Sequence, residues 1–263
     1  MKKLLLPVLT FLFLNCCYAQ QQFQVAPPML KYGSSFFTAA ATASLKFAQA
    51  GTQIFYTLNG KEPTQKDLVY QSPIIIKKSL TTLKAKVFGN GFLPSETVQV
   101  TFIKDGLKIK SVEASAPNEK YPGDGTKTLF DNQGGMADMH SKNFMGYQQD
   151  SVEFDVTLEK KQKVKSVLID FLQNNGSWIF LPQNIRVYYF NKNNNSYQLF
   201  GTKDIAVNKI ANGSSCVYEI VKADNKITAD KLKIIITPLQ VIPEDHPAKG
   251  KQSWLFIDEI KIY

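Results

Sequence analysis

Apolar and polar residues alternate with a period of two along much of the chain, most clearly over residues 54–87. Ile54, Tyr56 and Leu58 occupy every second position, as expected for a strand with one buried face. Asn59-Gly60 then supplies residue types that tolerate the positive φ values of a tight turn. After a second turn, two further segments show the same alternation of apolar and polar residues. The pattern therefore predicts three short strands joined by turns.

The turn after the first of these strands contains side chains that bond readily to nearby backbone. Thr57, Asn59 and Thr64 are predicted to hold it through local bonds between side chain and backbone. Glu62-Pro63 precedes Thr64, and proline restricts the residue before it to extended conformations. Together with Tyr70, these residues are interpreted as determinants of the fold and not as a binding site.

The second half of the chain also reads as short strands separated by turn residues. Six are predicted, over residues 152–156, 164–171, 184–190, 216–221, 231–237 and 254–262. A helical period of 3.6 residues does not recur over any length. Many short strands with this spacing are typical of a β-sandwich or barrel.

The N-terminus resembles a targeting segment. A basic start is followed by an apolar run over residues 4–14 and by Ala19, a small residue suited to cleavage. Residues 1–19 are therefore predicted to be a signal peptide, with lipid attachment at Cys16 or Cys17 as the alternative. This places the protein outside the cell, in the periplasm or on the outer envelope. We expect no membrane span, since no other segment is long and apolar enough.

Charge and cysteine content exclude several classes of function. The formal net charge is +9, but the lysines are scattered and Arg186 is the only arginine. Base readout and bidentate phosphate binding favour arginine, so we expect no nucleic-acid partner. Beyond the leader only Cys216 remains, which leaves no intramolecular disulfide. In its alternating strand this thiol is expected to pack as a small hydrophobe.

Residues 32–104 resemble a known accessory module. They are similar to the small β-sandwich on the C-terminal side of chitobiases and β-hexosaminidases. The markers are Tyr56-Thr57-Leu58-Asn59-Gly60, Glu62-Pro63-Thr64, Tyr70-x-x-Pro73-Ile74 and Thr81-Thr82-Leu83-Lys84-Ala85. The resemblance implies a module, predicted over residues 23–104, that accompanies sugar-cleaving enzymes without being the catalyst.

Residues 112–263 resemble the factor V/VIII type C (discoidin) domain. The markers, in the family's order, are Thr128-Leu129-Phe130-Asp131, Phe144-x-Gly146-Tyr147, residues 175–182, His246-Pro247 and residues 254–260. Residues 105–120 are the expected linker. The chain thus resembles the accessory tail of Bacteroidetes-type β-hexosaminidases without the catalytic domain. The implied fold is all-β, with two consecutive β-sandwiches: a small Ig/fibronectin-like module, then a discoidin-type, galactose-binding-like jelly roll.

Catalytic motifs are absent from the sequence. The adjacent acidic pair, Asp258-Glu259, lies in a predicted strand, where neighbouring side chains point to opposite faces. Glycoside hydrolysis instead needs two carboxyls that converge on one bond at about 5–9.5 Å. We therefore expect no enzyme activity.

The resemblance implies a glycan site on loops at one end of the second sandwich. Its candidate residues are His140, Phe144, Tyr147, Asn174, Asn175, Trp178, His246 and Trp254. Phe144 occupies a position where the family usually has tryptophan. Phenylalanine retains the packing but lacks the indole N–H. Trp178 and Trp254 have an alternative role in the core, and the two histidines have a structural one.

The predicted function is that of a secreted, non-catalytic protein that binds amino-sugar or galactose-type glycans. The alternative is a structural module that docks on a glycoside hydrolase or a surface complex. The resemblance also implies a structural Ca²⁺, held by loop carbonyls with Asp131 and Glu259. The competing interpretation is that Asp131 caps a turn and Glu259 pairs with Lys261.

Overall fold

The computed structural model describes residues 22–206 and 213–263, so the predicted leader lies outside the described residues. Within them the chain is built almost entirely of strands, which confirms the all-β prediction of two consecutive sandwiches. None of the helical segments in these ranges has the length and apolar character needed to cross a bilayer.

The first module contains ten strands. They are β1 Phe23–Gln24, β2 Met29–Tyr32, β3 Phe36–Phe37, β4 Ala41–Lys46, β5 Thr52–Thr57, β6 Leu68–Val69, β7 Ile74–Ile76, β8 Thr81–Gly89, β9 Phe92–Leu93 and β10 Val98–Lys104. Strands β3-β10-β8-β5-β6 form one sheet, β2-β4-β7 a second, and β1-β9 a short pair. Ala43 and Ile76 from the second sheet join Leu83 and Phe102 from the first in one buried cluster. The two sheets therefore form a sandwich around a shared core.

The turn after β5 is held as the sequence predicts. The Thr57 hydroxyl donates to the Lys61 carbonyl at 2.6 Å, and the Lys61 N–H donates to Asn59 Oδ1 at 3.1 Å. Both the N–H and the hydroxyl of Thr64 donate to Asp67 Oδ2 at 2.8 Å. These bonds confirm that the motif residues here serve the fold.

Over residues 105–206 and 213–263 the second module contains eight strands and two short 3₁₀ helices. The strands are β11 Ile109–Ala114, β12 Gly123–Thr126, β13 Met145–Tyr147, β14 Val152–Gln173, β15 Asn184–Asn191, β16 Ser196–Asp204, β17 Ser215–Thr237 and β18 Leu255–Ile262. The helices span Lys127–Leu129 and Asn175–Ser177. The sheet order is β13-β18-β14-β17-β15-β16, with β11 also paired to β14.

Strands β14 and β17 are each continuous where the sequence predicts two separate strands. The first half of β14 pairs with β11 and the second half with β18, while β17 accompanies both halves. Phe154 and Phe171, from opposite halves of β14, lie in one buried cluster. The sheet therefore folds over into two layers. Strand β11 falls within residues 105–120, so part of the expected linker belongs to the second sheet.

The two modules pack directly against each other. Phe36 and Ile103 of the first module form a buried cluster with Leu168 of the second. The Ser35 N–H donates to the Gly134 carbonyl at 3.1 Å, and the Tyr32 hydroxyl donates to the Gly135 carbonyl at 2.8 Å. The junction thus combines apolar burial with hydrogen bonds to the glycine turn after β12.

Candidate functional site

Three loop segments of the second module are joined by backbone hydrogen bonds at the start of β18. The Trp254 N–H donates to the Trp178 carbonyl at 2.8 Å, and the Phe180 N–H donates to the Trp254 carbonyl at 3.0 Å. On the other side, the Gly146 N–H donates to the Tyr121 carbonyl at 2.9 Å. These bonds fix the loops relative to one another. We call the surface formed by Tyr121, Trp178 and Trp254, with exposed His140, the aromatic end.

Trp178 is the most exposed aromatic residue of this surface, with 39% of its area accessible. Its backbone is left-handed, with φ 65° and ψ 19°, an unusual conformation for a bulky side chain. The turn is held by the Trp178 N–H donating to the Asn175 carbonyl at 2.9 Å and by the Ser177 N–H donating to Asn174 Oδ1 at 3.2 Å. Local hydrogen bonds therefore support a strained residue with an exposed indole. Such strain is found disproportionately at functional positions.

Tyr121 packs beside Trp254 and was not predicted as a site residue. The two rings meet edge to face, with centroids 5.3 Å apart and an interplanar angle of 83°. Tyr121 also lines a cleft of about 260 Å³ together with His140 and Lys142. The sequence signal that could have identified Tyr121 is an aromatic residue between a lysine and a proline in a turn-rich loop. The aromatic end thus combines ring faces with cationic and imidazole groups.

Three predicted site residues are buried. Phe144 packs on Phe256 with ring centroids 6.5 Å apart, in the cluster beneath the aromatic end. Tyr147 is fully buried, and its hydroxyl contacts the sulfur of Met145 at 3.8 Å. Burial raises the pKa of this phenol. Asn175 is also fully buried. Tyr147 and Asn175 lie below the surface, whereas Phe144 also lines the Tyr121 cleft, and the glycan contacts of all three stay predictions.

His246 and Asn174 have structural roles. The Ala248 N–H donates to His246 Nδ1 at 3.0 Å, so the proton resides on Nε2, which bonds the Asn175 carbonyl at 2.9 Å. With both ring nitrogens bonded and the side chain buried, His246 connects the loop before β18 to the Trp178 turn. Asn174 caps that same turn. Of the eight predicted residues, His140, Asn174, Trp178 and Trp254 are thus exposed at least in part.

We expect His246→Ala to lower the free energy of unfolding by about 1–3 kcal/mol, because it leaves a buried carbonyl and a buried N–H without their partner. His140→Ala is the matched control, since His140 is exposed and should change stability by less than about 0.5 kcal/mol. Urea unfolding followed by tryptophan fluorescence measures both. Equal midpoints for the two variants would contradict the structural role of His246.

The acidic pair of β18 is buried and bonded to the loop after the Lys127–Leu129 helix. The Asn132 N–H donates to the Glu259 carboxyl, and the Gly135 N–H donates to Asp258 Oδ2 at 2.8 Å. Both neighbours therefore reach the same loop, against the expectation of opposite faces, because the pairing of β18 with β14 shifts register here. Burial raises the pKa of Asp258 well above its usual range and that of Glu259 to about 8, although Lys261 opposes the rise for Glu259.

The predicted calcium ligands lie close together, and both carboxyls have other partners. Asp131 Oδ1 accepts the Gln133 N–H at 2.7 Å, and Glu259 Oε2 lies 2.7 Å from the Lys261 ammonium. Calcium requires six to eight oxygen ligands. Over residues 22–206 and 213–263, no three Asp, Glu, His or Cys side chains are grouped so as to hold a metal ion. Asp131 closes a turn and Glu259 pairs with Lys261, as the competing interpretation holds.

Comparisons with known proteins agree with the family resemblance stated for the first module. Residues 32–100 match the family described as "Chitobiase/beta-hexosaminidase C-terminal domain". This match confirms the resemblance predicted from the motifs of residues 32–104. No curated protein matches the chain.

Several solved structures are similar to part of the chain. A family 32 carbohydrate-binding module of Streptococcus pneumoniae EndoD is 16% identical, with 60% of this chain and 96% of that chain covered and a TM-score of 0.39. The paired modules of Clostridium perfringens ZmpB, solved with GalNAc, are 12% identical, with 59% and 33% covered and a TM-score of 0.38. A Ruminococcus gnavus GH29 fucosidase, solved with fucose, is 15% identical, with 58% and 25% covered and a TM-score of 0.35. The alignment thus spans about a quarter of the fucosidase chain.

Proposed function

We propose that this chain is a secreted, non-catalytic carbohydrate-binding protein and that the aromatic end of its second module contacts the glycan. The observation that carries the proposal is the exposed Trp178 side chain, held on a left-handed turn whose carbonyl accepts the Trp254 N–H, while the Trp254 ring packs on Tyr121. Hexose rings present apolar C–H faces that pack on aromatic rings, while polar side chains bond their hydroxyls. The Tyr121 cleft supplies such polar groups in His140 and Lys142.

The size of the cleft bears on how such a ligand would bind. At about 260 Å³ it lies below the roughly 300–1,000 Å³ of enclosed small-molecule pockets. A shallow surface of this kind suits one or two sugar units at the end of a longer glycan. The match of residues 32–100 to a module of chitin-degrading and hexosamine-cleaving enzymes favours amino sugars as the ligand.

Trp178→Ala tests the proposal on the two-module protein, residues 20–263, in a glycan-array screen followed by titration of the best ligand. Loss of one stacking aromatic should weaken binding about tenfold, equivalent to about 1.4 kcal/mol. Tyr197→Ala is the matched control: Tyr197 is also 39% exposed but lies on β16, away from the aromatic end. Thermal unfolding verifies that both variants are folded.

Absence of binding by the wild-type protein to every glycan class would overturn the proposal, and so would equal weakening by the two variants. The docking alternative would then be favoured by apolar side chains on the first module. They include Phe23, Leu68, Ile75 and Leu93. They lie on four strands in three different sheets, so they favour a docking role less directly than the aromatic end favours sugar binding.

A further inference from the structure

The side chain of Lys261, on β18, is buried to 2% exposure and ends among oxygen atoms. Its ammonium lies 2.7 Å from Glu259 Oε2, 2.8 Å from Asn132 Oδ1 and 3.5 Å from Asp105 Oδ1. It also lies 5.4 Å from the ring centroid of Phe36. A lysine is seldom fully buried unless it is paired, and here four separate segments of the chain converge on one cation.

The chemistry of this group matches that of a small bound cation. An ammonium has three N–H donors and no acceptor, and three oxygen atoms surround it here. Two of those oxygens belong to carboxyls and one to an amide, which are the donor types that calcium prefers. The Glu259 carboxyl accepts a further hydrogen bond from the backbone N–H of Asn132, so Asn132 contacts Glu259 through its backbone and Lys261 through its side chain.

We propose that the Lys261 ammonium takes the place of a structural calcium ion, so that the fold of this protein requires no divalent cation. The groups that surround the ammonium come from both modules. Asp105 directly follows the last strand of the first module, and Phe36 lies in β3, whereas Asn132 and Glu259 belong to the second. The internal cation therefore neutralises buried oxygens and also holds the two modules together.

The test uses the intact two-module protein and measures melting temperature by circular dichroism with excess calcium chloride or with EDTA. An ion that binds only the folded state must raise the melting temperature. We expect the wild-type value to be the same in both solutions, and isothermal titration with calcium alone to show no binding. A rise with calcium that EDTA reverses would overturn the proposal. This experiment uses only the wild-type protein.

Lys261→Met removes the charge and keeps most of the side-chain volume. It leaves Glu259, Asn132 and Asp105 without their cation, so we expect the melting temperature to fall by roughly 6 °C or more. Lys108→Met is the matched control: Lys108 also binds Asp105, at 2.7 Å, but its side chain is 60% exposed. It should shift the melting temperature by no more than about 2 °C. An unchanged value for Lys261→Met, or equal falls in both variants, would contradict the proposal. None of these measurements depends on glycan binding.

Discussion

Replacing Phe154 by alanine is expected to lower the free energy of unfolding of the second module by about 3–5 kcal/mol. Phe154 lies in β14, is fully buried and meets the ring of Tyr147 edge to face at 6.0 Å. Removal of the ring takes away apolar burial and leaves a cavity between two layers of the sheet. Close packing on both sides prevents those layers from collapsing fully onto the cavity.

The two tryptophans of the chain, Trp178 and Trp254, both belong to the second module, so their fluorescence reports its unfolding. Urea unfolding should therefore show an earlier fluorescence midpoint for Phe154→Ala. The same substitution at Phe23, which is 70% exposed on β1, provides the control and should leave the midpoint within error. A Phe154→Ala midpoint equal to that of wild type would mean that the core is not packed as described.

Gly135→Ala is expected to destabilise the junction between the modules by roughly 2–5 kcal/mol. Gly135 has φ +72°, where an alanine costs about 1–2 kcal/mol, and an added Cβ would overlap the Ser35 hydroxyl of the first module. Overpacking of this kind adds about 1–3 kcal/mol. The strained turn and Ser35 would have to move apart, with loss of the hydrogen bond from Tyr32 to the Gly135 carbonyl.

Gly51→Ala is the control that measures backbone strain alone. Gly51 has a similar φ of +74°, but no atom lies within 4 Å of an added Cβ, so no overlap contributes. Its cost should be limited to about 1–2 kcal/mol. The double variant Ser35→Gly/Gly135→Ala should recover the part of the loss due to overlap, and a double-mutant cycle measures that coupling. Equal destabilisation by Gly51→Ala and Gly135→Ala, with no coupling to Ser35, would show that the modules do not pack through this turn.

Local patterns predicted local structure well. The turn around Thr57 and Thr64 forms as its residue types indicate, because those bonds involve neighbours in sequence. The continuity of β14 was not predicted. Exposed polar residues over 159–163 interrupt the alternation, but the backbone pairing with β17 resumes at Gln162. The hydrophobic pattern along a strand shows which face is buried, but it does not show where the backbone pairing ends.

The sequence predicted candidate residues for the site but not which of them are exposed. Trp178 is exposed as expected, whereas Tyr147 points into the core because β13 is buried on both faces. Strand β18 is also buried at every position, including Lys261. The first module and the loop containing Asn132 cover its second face, and contacts so distant in sequence leave no periodic signal. The same reason explains why the pairing of Ser35 with Gly135 could not be predicted.

Strand β18 lies between β13 and β14 in the second sheet, although it follows both by many residues in the chain. During synthesis the first module has all its strands once Lys104 has emerged, and it can complete its core at that point. The second sheet instead lacks the strand that joins β13 to β14 until Leu255–Ile262 arrives. Closing such long-range contacts is slow, and unpaired central strands are prone to aggregate. We therefore expect the first module to be folded while the second still awaits its last strand, so that the junction forms last.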